Sequence, residues 1–296
     1  MIETSRPPQN TRREIITLSS DGADLALHLW RPRRIKGAVF FFHGLRSHAG
    51  WLWEAGPRFA DNDIAFFVLD RRGSGISTGA RQEIPDVGTV IADYVHAVAH
   101  VREYVGEDAG ENVPLSLFGH GLGGSFLAAL MHHPDFTTRY EAAVFCSAWL
   151  GRLHATLDDT ERAALAAERS TELWDTGPKA SDFTDDAVHR HFIDNDDLAV
   201  RSLTRRSRAR LLGLERLYLE PRRELPDIPA VFVSGLSDPL VDLDAAHRAF
   251  TTMVSGRGTI IQFPTDRHFL FHTPVSGDLI DWASTHTLLQ GLDRGA

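Results

Sequence analysis

Six short, mostly apolar runs fix what this chain can become: Gly37 to Phe42, Ile64 to Leu69, Leu115 to Phe118, Ala142 to Phe145, Ala230 to Val233 and Thr259 to Phe263. Runs without polar alternation suit strands covered on both faces, which is the condition of a parallel sheet. Between them lie segments of helical periodicity at Val90 to Val105, Leu122 to Met131, Ala245 to Val254 and Leu279 to Leu289. The alternation predicts an α/β fold with a mostly parallel, doubly wound sheet. Two further runs, Glu14 to Leu18 and Asp24 to Leu29, flank the turn signal Ser20-Asp21-Gly22 and predict an opening hairpin after a short N-terminal tail.

Residues 150–225 break this rhythm, being charged and helical in pattern with no convincing strand. They read as a helical lid inserted into a core made of residues 1–149 and 226–296. Leu203, Leu211, Leu212, Leu214 and Leu217 recur at helical spacing, so one face packs while the intervening arginines point outward.

Composition excludes several classes. A net charge of −9 is opposite to the basic footprint of a nucleic-acid binder. One cysteine, Cys146, cannot form an intrachain disulfide, so nothing demands an oxidising compartment. The N-terminus lacks a signal-peptide core and no run approaches the roughly 18 apolar residues of a membrane span, so a cytoplasmic protein is expected. His132-His133 and His189-x-His191 lack the partners of a metal site, and no nicotinamide, flavin or pyridoxal signature appears. Neither metal nor cofactor is expected.

The chemistry concentrates at Gly119-His120-Gly121-Leu122-Gly123-Gly124, between the run ending at Phe118 and the helix that follows. Strand, sharp turn and helix are the setting of a nucleophile elbow, Gly-x-Ser-x-Gly. Every position of that pattern is met except the serine, where Gly121 stands. A phosphate-binding loop fits worse, because no Lys-Ser/Thr pair follows.

With these residues the chain resembles α/β-hydrolases of the monoacylglycerol lipase, lysophospholipase and serine aminopeptidase type. The resemblance also rests on Phe42-His43-Gly44-Leu45, on Asp70-Arg71-Arg72-Gly73-Ser74-Gly75 with Ser77 and Gly79, on Gly235-Leu236-Ser237-Asp238-Pro239-Leu240-Val241, and on Arg267-His268. It implies that Asp238 is the acid that orients a catalytic histidine, His268, with His272 in reserve. It implies also that the amides of Leu45 and Leu122 form an oxyanion hole. Asp242 reads as a helix cap. His43, His120 and the Asp70 to Gly75 turn read as supports for these loops.

Glycine carries no atom that can attack an acyl carbon, so an acyl-enzyme mechanism is excluded for this sequence. Ser125, inside the following helix, and Ser74, in another loop, are not placed to substitute. Three readings stay open. The serine of an ester, thioester or amide hydrolase has been replaced; or His268 and Asp238 act as a general base for hydrolysis, lyase or cyclisation chemistry; or the protein is a ligand-binding pseudoenzyme. The expected partner is a small acyl or carbonyl compound. Eight arginines between Arg201 and Arg223 could receive an anionic group or carrier protein, against the reading of a solvated face balanced by Asp182, Asp185, Asp186, Asp194, Asp196 and Asp197. Trp149 and Trp174 are candidates for pocket walls.

Overall fold

A computed structural model describes residues 11–221 and 223–292. The expected N-terminal tail falls mostly outside these residues. Along the chain run β1 (Arg12–Ser20), β2 (Ala23–Arg31), β3 (Gly37–Phe42), α1 (Ala55–Asp61), β4 (Ile64–Leu69), α2 (Val87–Ala109), β5 (Leu115–His120), α3 (Leu122–Met131) and β6 (Ala142–Cys146). Then follow α4 (Asp159–Ala166), β7 (Leu173–Asp175), α5 (Ala180–Phe183), α6 (Ala187–Asn195), β8 (Ser202–Thr204) and α7 (Arg205–Leu219). The chain closes with β9 (Ala230–Gly235), α8 (Leu243–Met253), β10 (Thr259–Phe263) and α9 (Ser276–Leu289).

Eight strands form one sheet in the order β1-β2-β4-β3-β5-β6-β9-β10. β1 and β2 pair antiparallel, as do β2 and β4, and every other pair is parallel. From β3 the chain goes first to β4 on one side and later to β5 on the other. The carboxyl ends of β3 and β5 therefore flank a topological switch point, where open α/β sheets hold their ligands.

The apolar runs explain the layering. In β3, β4 and β5 every residue is buried, and alternate side chains serve opposite faces. Phe40, Phe42, Phe67 and Leu117 join a core with residues of α2, α3, α7 and α8. Val39, Phe41, Phe66 and Phe118 join a second core with residues of α1 and α9. Polar side chains cap two of the long helices: Asp86 accepts from Thr89 N–H at the head of α2, and Asp242, as expected, from Ala245 N–H at the head of α8.

Three expectations need correction. Thr259 to Phe263 is not covered on both faces: β10 is the sheet's edge, with Thr259 and Ile260 exposed. An edge strand lacks a neighbour on one side, and apolar content alone does not reveal that. The insertion between β6 and β9 does contain strands, the antiparallel pair β7 and β8, each only three residues long. The arginines of 201–223 are mostly not set against the nominated aspartates. Arg206 forks onto Glu83, Arg210 reaches Glu83 and the Ile84 carbonyl, and Arg205 lies 3.4 Å from Glu172. Arg201 donates to the carbonyls of Ile193, Asp194 and Asp196, and Arg223 to those of His133 and Phe136. Arg208 stacks 4.5 Å over Trp174. Arg222 lies outside the described residues. Side chains so engaged are held by their own chain, and a carrier-docking face finds no support there.

The insertion divides its apolar residues between the two cores. Leu211, Leu214 and Tyr218 of α7 join the α3 side, whereas Ala180, Phe183 and Ile193 join the α1 and α9 side. It thus straddles the carboxyl edge of the sheet. Among the described residues no helix is long and apolar enough to cross a membrane.

Candidate active site

The turn after β5 is held from several sides. Gly121 donates its N–H to Cys146 O at 3.1 Å, and its carbonyl accepts from Trp149 N–H at 2.9 Å and Gly124 N–H at 3.1 Å. Its backbone sits at φ 55°, ψ −125°, a conformation that side-chain-bearing residues adopt only under strain and that glycine adopts freely. That strained turn is the geometry of the nucleophile elbow. Gly123 meets a different demand: a Cβ there would lie 2.0 Å from Phe42 O, so the start of α3 can press on the end of β3 only without a side chain. Leu122 is the first residue of α3, where backbone N–H groups lack intrahelical acceptors.

Asp238 follows β9 and its side chain is fully buried. One carboxylate oxygen accepts from the N–H groups of Leu240 at 2.8 Å and Val241 at 3.0 Å, and the other faces His268 Nδ1 at 2.9 Å. Burial pushes the carboxyl upward in pKa, but the His268 charge, that hydrogen bond and the two amides outweigh it, and the net shift is down. Asp238 therefore stays ionised, and Nδ1 of His268 carries the proton it accepts. In the neutral imidazole the opposite nitrogen, Nε2, presents a lone pair. A Cβ built on Gly121 would lie 3.0 Å from that Nε2. The elbow, the acid and the histidine named from sequence thus meet at one point.

His268 is fixed through its backbone as well. Its N–H donates to Asp182 O in the insertion at 3.0 Å, and its carbonyl accepts from His120 Nε2 at 3.0 Å. Burial and the neighbouring His268 pull His120 down to about 3, so it is a neutral strut. His43 is another: its Nδ1 donates to Gly44 O at 2.9 Å while its Nε2 accepts from Arg71 N–H at 3.1 Å. The Arg71 guanidinium bonds the carbonyls of His43 and Gly44, turning them away from the site. Asp70 accepts from Ala49 N–H at 2.7 Å and Ile76 N–H at 3.0 Å. These contacts set the loop that carries Leu45. His272 is not a substitute for His268: its Nε2 lies 2.8 Å from Trp51 O, and it does not line the cavity described next. Ser125 donates to Trp149 O, and Ser74 sits buried in its own turn.

A cavity of about 320 Å³ opens over this point. Gly121, Leu122, Leu45 and His268 line it, with Trp149 and Trp174. The wall also includes Arg46, Pro178 and Phe183, which the sequence reading did not single out, and Asp182, Leu240 and Val241, which it named in other roles. A larger hollow of about 470 Å³ between the end of α7 and α8 holds none of the predicted site residues. Among the described residues no group of three or more His, Cys, Asp or Glu side chains could hold a metal ion.

The insertion and the Leu45 loop are tied together. Asp196 accepts from Trp51 Nε1 at 2.7 Å and lies 3.1 Å from His48 Nε2, and Val200 N–H donates to Arg46 O at 3.2 Å.

Comparison with known proteins bears on the family. A family model described as serine aminopeptidase, S33, matches residues 33–274. Over 123 residues, 40% of this chain, the sequence is 28% identical to the monoacylglycerol lipase of Mycolicibacterium smegmatis, covering 41% of that protein. Over a further 123-residue match it is 31% identical to an uncharacterized abhydrolase domain-containing protein of Dictyostelium discoideum, again 40% of this chain but 12% of that one. These matches thus span well under two thirds of either relative. The fold is similar to that of a soluble variant of the Saccharomyces cerevisiae monoglyceride lipase, with TM-score 0.79 at 19% identity, over 95% of this chain and 98% of that one. A family match of this extent, on a sheet of this topology, makes the chain a member of the serine aminopeptidase S33 family of α/β-hydrolases.

Proposed function

We propose that the protein hydrolyses a small acyl ester or thioester without a covalent intermediate. His268, oriented by Asp238, takes a proton from a water bound where a side chain on Gly121 would lie. That water attacks the acyl carbon, and the amides of Leu45 and Leu122 stabilise the oxyanion that forms. The alkoxide or thiolate leaving group takes the proton back from His268, which balances the step. Residues 150–225 act as the lid that keeps bulk water from the reacting carbonyl. One observation carries the reading: the Nε2 lone pair faces the Gly121 position at 3.0 Å while Asp238 holds the opposite nitrogen. A dyad kept in this register, in a turn built for a nucleophile, is what general-base catalysis requires. The mycobacterial monoacylglycerol lipase, a relative over part of the chain, supports an ester as the substrate.

The test is steady-state hydrolysis of p-nitrophenyl esters of increasing chain length by the wild type and by His268→Ala, with mass spectrometry of the protein during turnover. We expect kcat/KM to fall about 10²- to 10⁴-fold in the variant, the usual contribution of a positioned base. No acyl adduct should accumulate on the wild type. Turnover undiminished in His268→Ala would overturn the mechanism, and wild-type turnover no faster than buffer alone would favour the ligand-binding reading.

A further inference from the structure

Arg46, the residue after Leu45, is a buried cation with no carboxylate in contact among the described residues. It is 8% exposed, and no carboxylate among the described residues lies within ion-pair distance of its guanidinium. Its Nη1 donates to the carbonyl of Pro178, and its guanidinium lies 5.8 Å over the ring of Phe183. Pro178 and Phe183 both line the cavity above Gly121, as Arg46 itself does, so the charge is held in the cavity wall. Three acids act on it only from beyond contact, Asp194, Asp175 and Asp196, and of these Asp196 is bonded to His48 and Trp51 and Asp175 to Gly177 N–H. Asp182, the other charged residue lining the cavity, accepts from Lys179 N–H. Burial and the like charge of Arg201 pull the Arg46 pKa down, and the more distant charges of Asp194, Asp175 and Asp196 offset only part of that.

Taking a guanidinium out of water costs several kcal/mol unless an anion and hydrogen bonds compensate. A carbonyl and an aromatic face leave most of its planar fork of donors unused. The rest of the wall is largely apolar, with Leu45, Leu122, Trp149, Trp174, Leu240 and Val241. A neutral acyl chain in such a cavity would leave Arg46 with no anion in contact, only the longer-range attraction of Asp194, Asp175 and Asp196.

We propose that Arg46 is a specificity-determining residue that selects an ester or thioester carrying a carboxylate, which it pairs while the reacting carbonyl sits at Gly121. This rests on the ester-hydrolase reading above and narrows its substrate class. The cavity volume of about 320 Å³ is at the small end for ligand sites, so the anionic ester is compact.

Binding, separated from turnover, tests it. The probes are keto acids in which a ketone replaces the ester: 4-oxopentanoate, 5-oxohexanoate and 6-oxoheptanoate, each titrated calorimetrically against its neutral amide. We expect at least one acid to bind the wild type about tenfold or more tighter than its amide, as charge-assisted pairing implies. Arg46→Gln should abolish that preference while leaving amide affinity within about threefold, and Arg46→Lys should keep part of it, as a point charge without the fork. Thermal melting of both variants shows whether loss of the Pro178 bond has unfolded them. The wild-type comparison stands whatever they do. Absence of an acid preference in all three wild-type pairs overturns the proposal, as does a preference that persists in folded Arg46→Gln. Either result leaves the His268 mechanism intact. An Arg46-dependent acid preference beside undiminished turnover in His268→Ala would sink the mechanism and keep the specificity.

Discussion

Gly121→Ser puts the site's geometry to its sharpest test. The new Cβ would stand 3.0 Å from His268 Nε2, about half an ångström inside the distance at which non-bonded heavy atoms are best separated. His268 must therefore retreat by a few tenths of an ångström, against its bonds to Asp238, Asp182 and His120. The backbone at φ 55°, ψ −125° adds strain that glycine does not feel, of about 1–3 kcal/mol. At roughly 2–4 °C per kcal/mol for a chain of this size, the melting temperature should fall by about 2–12 °C. In return the serine hydroxyl gains Nε2 as its base. The variant should react with a fluorophosphonate, gaining one adduct by intact-protein mass spectrometry, and should show a burst of about one equivalent with p-nitrophenyl acetate. A folded variant that takes no label would refute the claim of a preformed elbow. One that melts above the wild type would refute the strain account.

Two further outcomes follow from the supports. Asp70 is pushed up by burial, yet its hydrogen bond and charge interaction with His28, with smaller help from His43 and the Ala49 amide, bring it down to about 2 from 3.8. A carboxyl lowered in the folded state contributes stability above its unfolded pKa, and that contribution is lost as pH falls through the folded one. Here it is about 2 kcal/mol, lost between roughly pH 4 and 2. Burial holds His120 and His272 near 3, and a buried neutral histidine adds to the loss as pH drops below 6.5. In urea titrations, wild-type stability should decline from pH 7 to 3. Asp70→Asn, weaker at pH 7, should close the gap by about 1 kcal/mol at pH 3, and a pH-independent gap would contradict this. Gly123→Ala places a methyl 2.0 Å from Phe42 O and 2.7 Å from His43 O, both backbone atoms that cannot swing aside. It should cost more than about 3 kcal/mol in chemical unfolding, and a near-neutral result would mean that α3 is free to lift from β3.

The strands that were legible in the sequence are those whose environment is uniform. Phe40, Phe41 and Phe42 could only lie in a strand covered on both sides, and β3 and β4 have the bounds the apolar runs indicate. β10 misled because its Ile260 and Ile261 look like the same signal on an edge, where solvent replaces a neighbour. The four-residue helix α5 and the three-residue strands β7 and β8 are too short for any period to register. Gly121, Asp238 and His268 were visible because each occupies a fixed place relative to a strand end. Arg46 was not, since its surroundings come from Pro178 and Phe183, more than a hundred residues away. The arginines of α7 were misassigned for a related reason: Glu83, their principal acceptor, lies in the loop before α2.

On the function proposed above, Asp196 would join two things that are usually discussed apart, the cover over a site and the donors within it. The residues it holds, His48 and Trp51, lie a few positions beyond Leu45, so a movement of the segment after α6 would pull on the loop bearing the Leu45 amide. Shelter from water and readiness for the oxyanion would then be coupled. A substrate that closes the cover assembles the donors in the same motion, and one that holds it ajar meets a site that cannot react.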